Sequence, residues 1–290
     1  RIGRAIHFEL CREHEVIGLD RSLASVTSLL GDLCDDSLLY KAFTGADAVI
    51  HTAALHAPHV GIVDDSEFAR INIGGTRKLI RAARECGVKN IVYTSTTALY
   101  GHASHDSEQA AWLDEYTPPQ PRTIYHRSKL AAEQLLEEAA GPGLQLTILR
   151  MSRCFPEPAP VMAAYRLHRG IDARDVASAH RLALEHSENP CRKFIISGKT
   201  PFTPADCPDL LKEPGPLLRA RCSELCQAFD ERGWRLPDSI DRVYDASLAQ
   251  QQLGWSPRFG YENVLHLLDE GISEVLPGQT PGNLHTDPED

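Results

Sequence analysis

Residues 66–95 read SEFARINIGGTRKLIRAARECGVKNIVYTS. Apolar residues return at helical spacing from Ser66 to Cys86, and Gly87 stops the helix. Asn90-Ile91-Val92-Tyr93-Thr94-Ser95 then forms a short, nearly continuous apolar run, the pattern of a strand buried on both faces. The same alternation repeats outward. Upstream, Val16–Leu19 is a strand ending at Asp20, and Ala48–His51 is another that leads into the small residues Thr52-Ala53-Ala54. Downstream, a helix over 124–139 closes at Ala140-Gly141-Pro142-Gly143, and a strand runs from Leu144 to Met151. Strands separated by helices predict βαβ units and therefore an α/β protein, a doubly wound parallel sheet with helices on both faces. Ligands of such sheets bind outside the carboxyl ends of the strands, so Asp20, Asp32, Ala53, Ser95 and Met151 are expected to ring one site.

Beyond Arg153 the rhythm changes. A Pro-rich stretch (Pro156, Pro158, Pro160) precedes a helix near 175–185 and a strand at 193–197, and 200–241 is Pro- and charge-rich with short helical pieces. The expected division is a main sheet domain over 1–155, to which 171–198 returns, a smaller lobe over 156–170 and 199–275, and a flexible tail over 276–290.

The 290 residues are 42% hydrophobic and 24% charged, which is ordinary globular composition and argues against disorder, collagen or a coiled coil. A net charge of -10 offers no basic footprint for nucleic acid or an anionic membrane. No stretch approaches the roughly 20 apolar residues of a membrane-spanning helix. Eight scattered cysteines (Cys11, Cys34, Cys86, Cys154, Cys191, Cys207, Cys222, Cys226) show no zinc-site spacing, and without a visible signal peptide they suggest a reducing cytoplasm. Cys222 and Cys226, four apart on an expected helix, read as helix-face thiols or as a redox or metal pair. His56, His59, His168 and His180 lack partner spacing for a metal, so no metal is expected.

The sharpest chemical signal is Tyr125-His126-Arg127-Ser128-Lys129 at the start of the helix over 124–139. Spacing of four places the phenol and the ammonium on one face. Bringing a tyrosine from its usual pKa of about 10 to neutrality requires about 4 kcal/mol, which one positive charge at about 4 Å supplies at an effective dielectric near 20. Ser95 and Thr96, at the end of the preceding strand, offer the hydroxyl that such a pair needs.

With Asp20 and Asp32 on the adenosine side, these ordered motifs resemble the extended short-chain dehydrogenase/reductase family, in its nucleotide-sugar epimerase/dehydratase-like branch. The resemblance runs from Gly3 to about Trp255. It implies a Rossmann fold with a smaller C-terminal substrate-binding lobe, NAD as cofactor with NADP possible, a small sugar-like substrate, and a homodimer formed through the helices beginning near Ser66 and Ile124. Gly3 looks like the last part of the family's glycine-rich turn, whose first glycines and central strand are not in this sequence. About ten native residues are therefore expected before Arg1.

Carried over residue by residue, the resemblance makes Asp20 the acid that binds the adenosine ribose, which favours NAD, while Arg21 beside it can answer a 2'-phosphate. Asp32-Leu33 resembles the adenine-contacting pair. Ala53 and Ala54 lie where the backbone passes close to the cofactor, and Asn72 with Gly75-Thr76 resembles a stretch that steadies the active site. In Ser95-Thr96-Thr97-Ala98-Leu99-Tyr100-Gly101, Thr96 is the hydroxyl that holds the substrate oxygen. Ser95 is its neighbour on the cofactor side and Thr97 its neighbour on the substrate side, although strand-end hydroxyls also serve merely to satisfy backbone. Thr97-Ala98 stands where sugar dehydratases carry an Asp-Glu pair, so dehydration lacks its acid and base. In Leu149-Arg150-Met151-Ser152-Arg153, Met151 lies at the cofactor and Arg153 is directed at a substrate carboxylate or diphosphate, or else forms a plain salt bridge. Phe155-Pro156-Glu157 departs from the family's Tyr-Gly-Pro, and Asp172 takes the place of a His in the stretch ending Asp175-Val176-Ala177. Leu253-Gly254-Trp255-Ser256-Pro257 resembles a late packing motif. The implied catalytic set is Thr96, Tyr125 and Lys129, with Tyr125 and Lys129 also touching the cofactor. The activity is epimerase-like hydride transfer at a sugar carbinol. The alternatives are net oxidation or reduction of a smaller sugar, uronate or ketone, favoured by the compact 125–175 interval, and a non-catalytic cofactor sensor.

Overall fold

The computed structural model describes residues 1–23, 26–104, 108–185, 187–272 and 274–275. The chain divides into two compact units. The first comprises Arg1–Leu99, Pro121–Arg150 and Val176–Phe194; the second comprises Tyr100–Gln120, Met151–Asp175 and the residues from Ile195 onward.

The strands are β1 (Leu19–Asp20), β2 (Leu29–Leu30), β3 (Ala48–His51), β4 (Asn90–Thr96), β5 (Ala111–Leu113), β6 (Gln145–Met151), β7 (Cys191–Ile196) and β8 (Arg242–Tyr244). The central sheet has the order β3-β4-β6-β7, with β3 and β4 parallel in the register Ala48↔Asn90 to His51↔Tyr93. β1 and β2 form a separate parallel pair. Ile91, Val92, Ile148 and Leu149 are fully buried, as strands covered on both faces require.

Helices α1 (Ile2–Leu10), α2 (Asp36–Phe43), α3 (Asp65–Phe68), α4 (Thr76–Glu85) and α5 (Ile124–Ala139) belong to the first unit. Each start has a local cause where a side chain caps it: Asp35 accepts from Leu38 N, and Thr123 accepts from His126 N. Gly87 takes φ +77 just past α4, a conformation that favours glycine. The predicted single helix over 66–86 is continuous but not uniform, because Ala69–Gly75 winds as a π-helix between α3 and α4. Inside it the Thr76 hydroxyl donates to the Asn72 carbonyl at 2.6 Å, a side-chain bond that takes up a backbone acceptor and loosens the ladder.

The second unit carries α6 (Ala159–Tyr165), most of the first turn of α7 (Ala173–Ala183), α8 (Cys207–Lys212), α9 (Pro214–Arg221), α10 (Ser223–Glu231), α11 (Ser247–Gln252) and α12 (Tyr261–Asp269). Its core gathers Met162, Leu210, Leu225, Phe229, Val243 and Val264. Residues 100–120, expected in the first domain, belong here because β5 pairs with β8 in the register Trp112↔Val243. The boundaries expected at 155, 171 and 198 move to 150, 176 and 194. The tail over 276–290 lies outside the described residues. Cys222 and Cys226 are buried free thiols in the core of this unit, and no group of metal-ligating side chains occurs among the described residues. No described helix is long and apolar enough to cross a membrane.

Glu115, half-buried after β5, accepts a hydrogen bond from Ile195 N at 2.7 Å. Burial pushes its carboxyl up to about 7, against which the Ile195 N–H works downward. A carboxyl raised on folding stabilises fully below its unfolded value of about 4.3, and that contribution is lost as pH rises through 7. The melting temperature of Glu115→Gln relative to wild type is therefore expected to rise between pH 5 and pH 8; a difference independent of pH would contradict this.

Candidate functional site

The site in the first unit is built on the amino end of α5 and the carboxyl end of β4. Tyr125 is half-buried, its ring packed on a cluster of Leu55, Phe68 and Ile71 that Val60, Val63 and Ile124 also touch. The Thr96 hydroxyl is near enough to its phenol to act downward on its pKa. Thr96 in turn accepts from Ala98 N at 3.1 Å and stays partly exposed, whereas Thr97 and Ser95 are buried. The Ser95 hydroxyl has no hydrogen-bond partner among the described residues.

Lys129 is buried below Tyr125, at 2% exposure. Its ammonium donates to the Thr94 carbonyl at 2.7 Å and lies 4.0 Å from the centre of the Tyr93 ring. Thr94 is itself fixed: its hydroxyl meets His180 Nε2 at 2.7 Å, while His180 Nδ1 lies 2.8 Å from the Val176 carbonyl. The carbonyl cannot donate, so Nδ1 carries the proton and Nε2 accepts from Thr94. Burial holds His180 down to about 4, and therefore neutral.

The electrostatics differ from the sequence expectation in one respect. Burial pushes Tyr125 up to about 12, which the Thr96 hydroxyl only partly offsets. Burial pulls Lys129 down to about 7, and Glu133 opposes that fall. The expected depression of the phenol by Lys129 is thus not a property of the chain alone, because the ammonium is directed at the Thr94 carbonyl and the Tyr93 face.

Asn72, in the π-helical segment, ties three parts of the site together. Its Oδ1 accepts from Leu55 N at 2.8 Å, and its Nδ2 donates to the Leu55 carbonyl and to Ser128 Oγ, both at 2.9 Å. Ser128 donates onward to the Tyr125 carbonyl at 2.9 Å. Thr76 donates to the Asn72 carbonyl, so buried His51, whose Nε2 lies 3.0 Å from Thr76 Oγ1, is the donor in that pair.

On the adenosine side, Asp20 is exposed at the end of β1, its Oδ1 accepting from Ser22 N at 2.9 Å and Ser22 Oγ at 3.0 Å; Arg21 beside it is exposed as well. Asp32 accepts from Cys34 N at 2.7 Å, and this bond holds its carboxyl below the usual range, with Arg70 3.7 Å away. Leu33 is seated where Gly75 leaves room, since a Cβ there would lie 2.7 Å from Leu33 Cδ2. A Cβ on Gly3 would come within 3.2 Å of Thr52 Oγ1, so α1 begins against the segment that continues into Ala53 and Ala54.

Met151 and Arg153 belong to the second unit. Arg153 forms an ion pair with Glu157 at 2.5 Å and lies 5.7 Å from the Phe155 ring, the salt-bridge alternative for that residue. Asp172, in the place of the family's His, bridges Arg166 at 3.2 Å and Arg174 at 2.9 Å; burial acts to raise it, and these arginines bring it below the usual carboxylate range. Sequence reading missed Thr94, Ser128, Glu133 and His180. Of these only Glu133, spaced four from Lys129 as Lys129 is from Tyr125, left a pattern to find.

A parallel α/β sheet with a tyrosine and a lysine one helical turn apart beneath a strand-end threonine defines a protein of the Rossmann class. The model of the NAD dependent epimerase/dehydratase family matches residues 1–159, and the chain belongs to that family. It is 36% identical over 131 residues to the N-acetyl-alpha-D-glucosaminyl-diphospho-ditrans,octacis-undecaprenol 4-epimerase of Escherichia coli O157:H7, covering 44% of this chain and 37% of the relative. It is 33% identical over 145 residues to the UDP-glucose 4-epimerase of Yersinia pestis, covering 49% and 40%. The matches thus span about two fifths of these curated relatives. Among solved structures, a short-chain dehydrogenase/reductase superfamily protein from Agrobacterium tumefaciens with bound NAD superposes with a TM-score of 0.69 at 20% identity, over 94% of this chain and 93% of that one. A UDP-glucose 4-epimerase from Stenotrophomonas maltophila, with bound NAD and formylated UDP-arabinopyranose, gives 0.67 at 24% identity over 91% and 93%. These share the fold.

Proposed function

We propose that this chain is an NAD-dependent oxidoreductase that works as a nucleotide-sugar epimerase, removing hydride from a sugar carbinol and returning it to the other face. The observation that carries the reading is Tyr125 at the amino end of α5, near the strand-end Thr96 hydroxyl, with a buried Lys129 one helical turn on and tethered to the Thr94 carbonyl. The relatives that act on diphosphate-linked sugars favour this substrate class. The residues present suit NAD: an exposed Asp20 carboxylate for ribose hydroxyls, Asp32 and Leu33 for adenine, Gly3 with Ala53 and Ala54 for close backbone approach, and the buried Ser95 hydroxyl in need of a partner. NAD supplies the hydride acceptor. The chain supplies the proton path: Thr96 holds the substrate oxygen, and the Tyr125 phenol exchanges a proton with it as the carbinol becomes a carbonyl and reverts. Lys129 binds the ribose and supplies positive charge below Tyr125. Thr97-Ala98 offers no acid and base for elimination, which sets the chain apart from dehydratases.

Net oxidation or reduction of a smaller substrate is the second reading, favoured by the short interval from Tyr125 to Asp175. The protein acts in the cytoplasm, where its free cysteines stay reduced, and pairs as a homodimer through the helices beginning near Ser66 and Ile124. Purified protein, denatured without added cofactor, is expected to release near-stoichiometric NAD by mass spectrometry, because a redox-neutral cycle regenerates its cofactor in place. Empty protein that binds NAD or NADP in solution would favour the second reading, and failure to bind either would overturn both.

A further inference from the structure

Beneath Lys129 the first unit buries a charge cluster that the proposed chemistry does not itself use. Glu133 lies one turn along α5 from Lys129 and is wholly buried. Arg150 of β6, also buried, grips it with Nε at 3.1 Å and Nη2 at 2.7 Å. Lys193 of β7 stands 3.8 Å from the same carboxylate and pairs with Glu137 at 2.5 Å. Two cations, Arg150 and Lys193, thus meet one buried anion that lies one helical turn from Lys129. Tyr93, Tyr125 and His51, titratable groups near Lys129 among the described residues, are held neutral. Tyr93 of β4 is pushed far up by burial, Tyr125 is likewise raised, and His51 of β3 is held down to about 3, first by burial and then by Lys129 itself.

We propose that Glu133, fixed by Arg150, is the counter-charge that keeps Lys129 an ammonium, and is thus a positioning residue acting through Lys129. This rests on the assignment of Lys129 to the site above. An isolated ammonium in this interior would release its proton, since desolvation disfavours the charged form and only a nearby anion restores it. The direction of the Lys129 shift agrees: burial lowers it and Glu133 raises it. The bidentate arginine fixes the carboxylate in place without water.

The test is a titration of full-length protein labelled with ε-13C-lysine, the Lys129 signal being assigned by its loss in Lys129→Met. Glu133→Gln is expected to lower the Lys129 midpoint by at least one pH unit and to move the alkaline limb of the turnover profile with it. Glu137→Gln, whose carboxylate pairs with Lys193, leaves the midpoint in place. Because an uncompensated Arg150 can prevent folding, the double variant Glu133→Leu with Arg150→Met is measured as well. It replaces the ion pair with apolar groups of similar size and is expected to shift the midpoint in the same direction. An unmoved midpoint in a folded variant of either kind overturns the proposal. A shifted midpoint with an unchanged turnover profile upholds the counter-charge and overturns only the catalytic reading of Lys129.

Discussion

Tyr125→Phe is expected to lower turnover by about three orders of magnitude while leaving the first unit folded, because general acid–base groups contribute about 10²–10⁴ in rate. The side chain loses one oxygen. The ring keeps its packing against Leu55, Phe68 and Ile71, so the substitution leaves the core of the site intact. Binding of NAD, read by calorimetry, is expected to survive, so the defect falls on kcat. Lys129→Met is expected to be comparably slow but less stable, since it strands the buried Thr94 carbonyl that accepts the ammonium. Thr96→Val is milder in rate, and it moves the pH dependence in a stated direction: the Thr96 hydroxyl acts to lower the phenol, so its removal raises Tyr125 further and moves the profile of the oxidative half-reaction toward higher pH. Turnover of Tyr125→Phe within tenfold of wild type would remove the tyrosine from the mechanism.

The elements that position this site were legible because each has a local cause in the sequence. The spacing of apolar residues placed α5 at 124–139, where it stands, with Thr123 as its cap, and β3 at 48–51. The placement of Tyr125 and Lys129 one turn apart on α5, and of Thr96 at the end of β4, could be read because helix period and strand end are local patterns. What was illegible depends on distant partners. No pattern around Thr94 announces that its carbonyl will receive an ammonium from residue 129 and its hydroxyl will face a histidine from 180. The placement of 100–120 in the second unit follows from pairing with residues 242–244, more than a hundred positions away. Burial likewise decides the sign of the Tyr125 shift, and a charge-at-a-distance estimate from spacing omits that cost.

The second unit should yield most sharply at Trp255. Its indole is 1% exposed, and Nε1 donates to the Asp175 carbonyl at 3.0 Å. The Asp175 carboxylate faces the same segment and accepts from Arg258 N at 2.9 Å and Phe259 N at 3.0 Å. The late Leu253-Gly254-Trp255 motif, read from sequence as packing, is therefore a clasp: backbone and side chain of one aspartate at the start of α7 hold residues 255–259. Trp255→Ala removes the largest buried side chain of the unit together with a buried hydrogen bond, and large-to-small changes of this kind cost about 3–5 kcal/mol. Trp255→Phe retains most of the ring volume and loses the N–H, so its cost should be nearer to that of one buried hydrogen bond left with its acceptor unmatched, about 1–3 kcal/mol. The effect should be local to the unit. Hydrogen exchange is expected to show early loss of protection over β8, α11 and α12, with β3 and β4 unaffected. Uniform loss of protection through both units, or an Ala variant within 1 kcal/mol of wild type in urea unfolding, would show that the clasp is not what holds this segment.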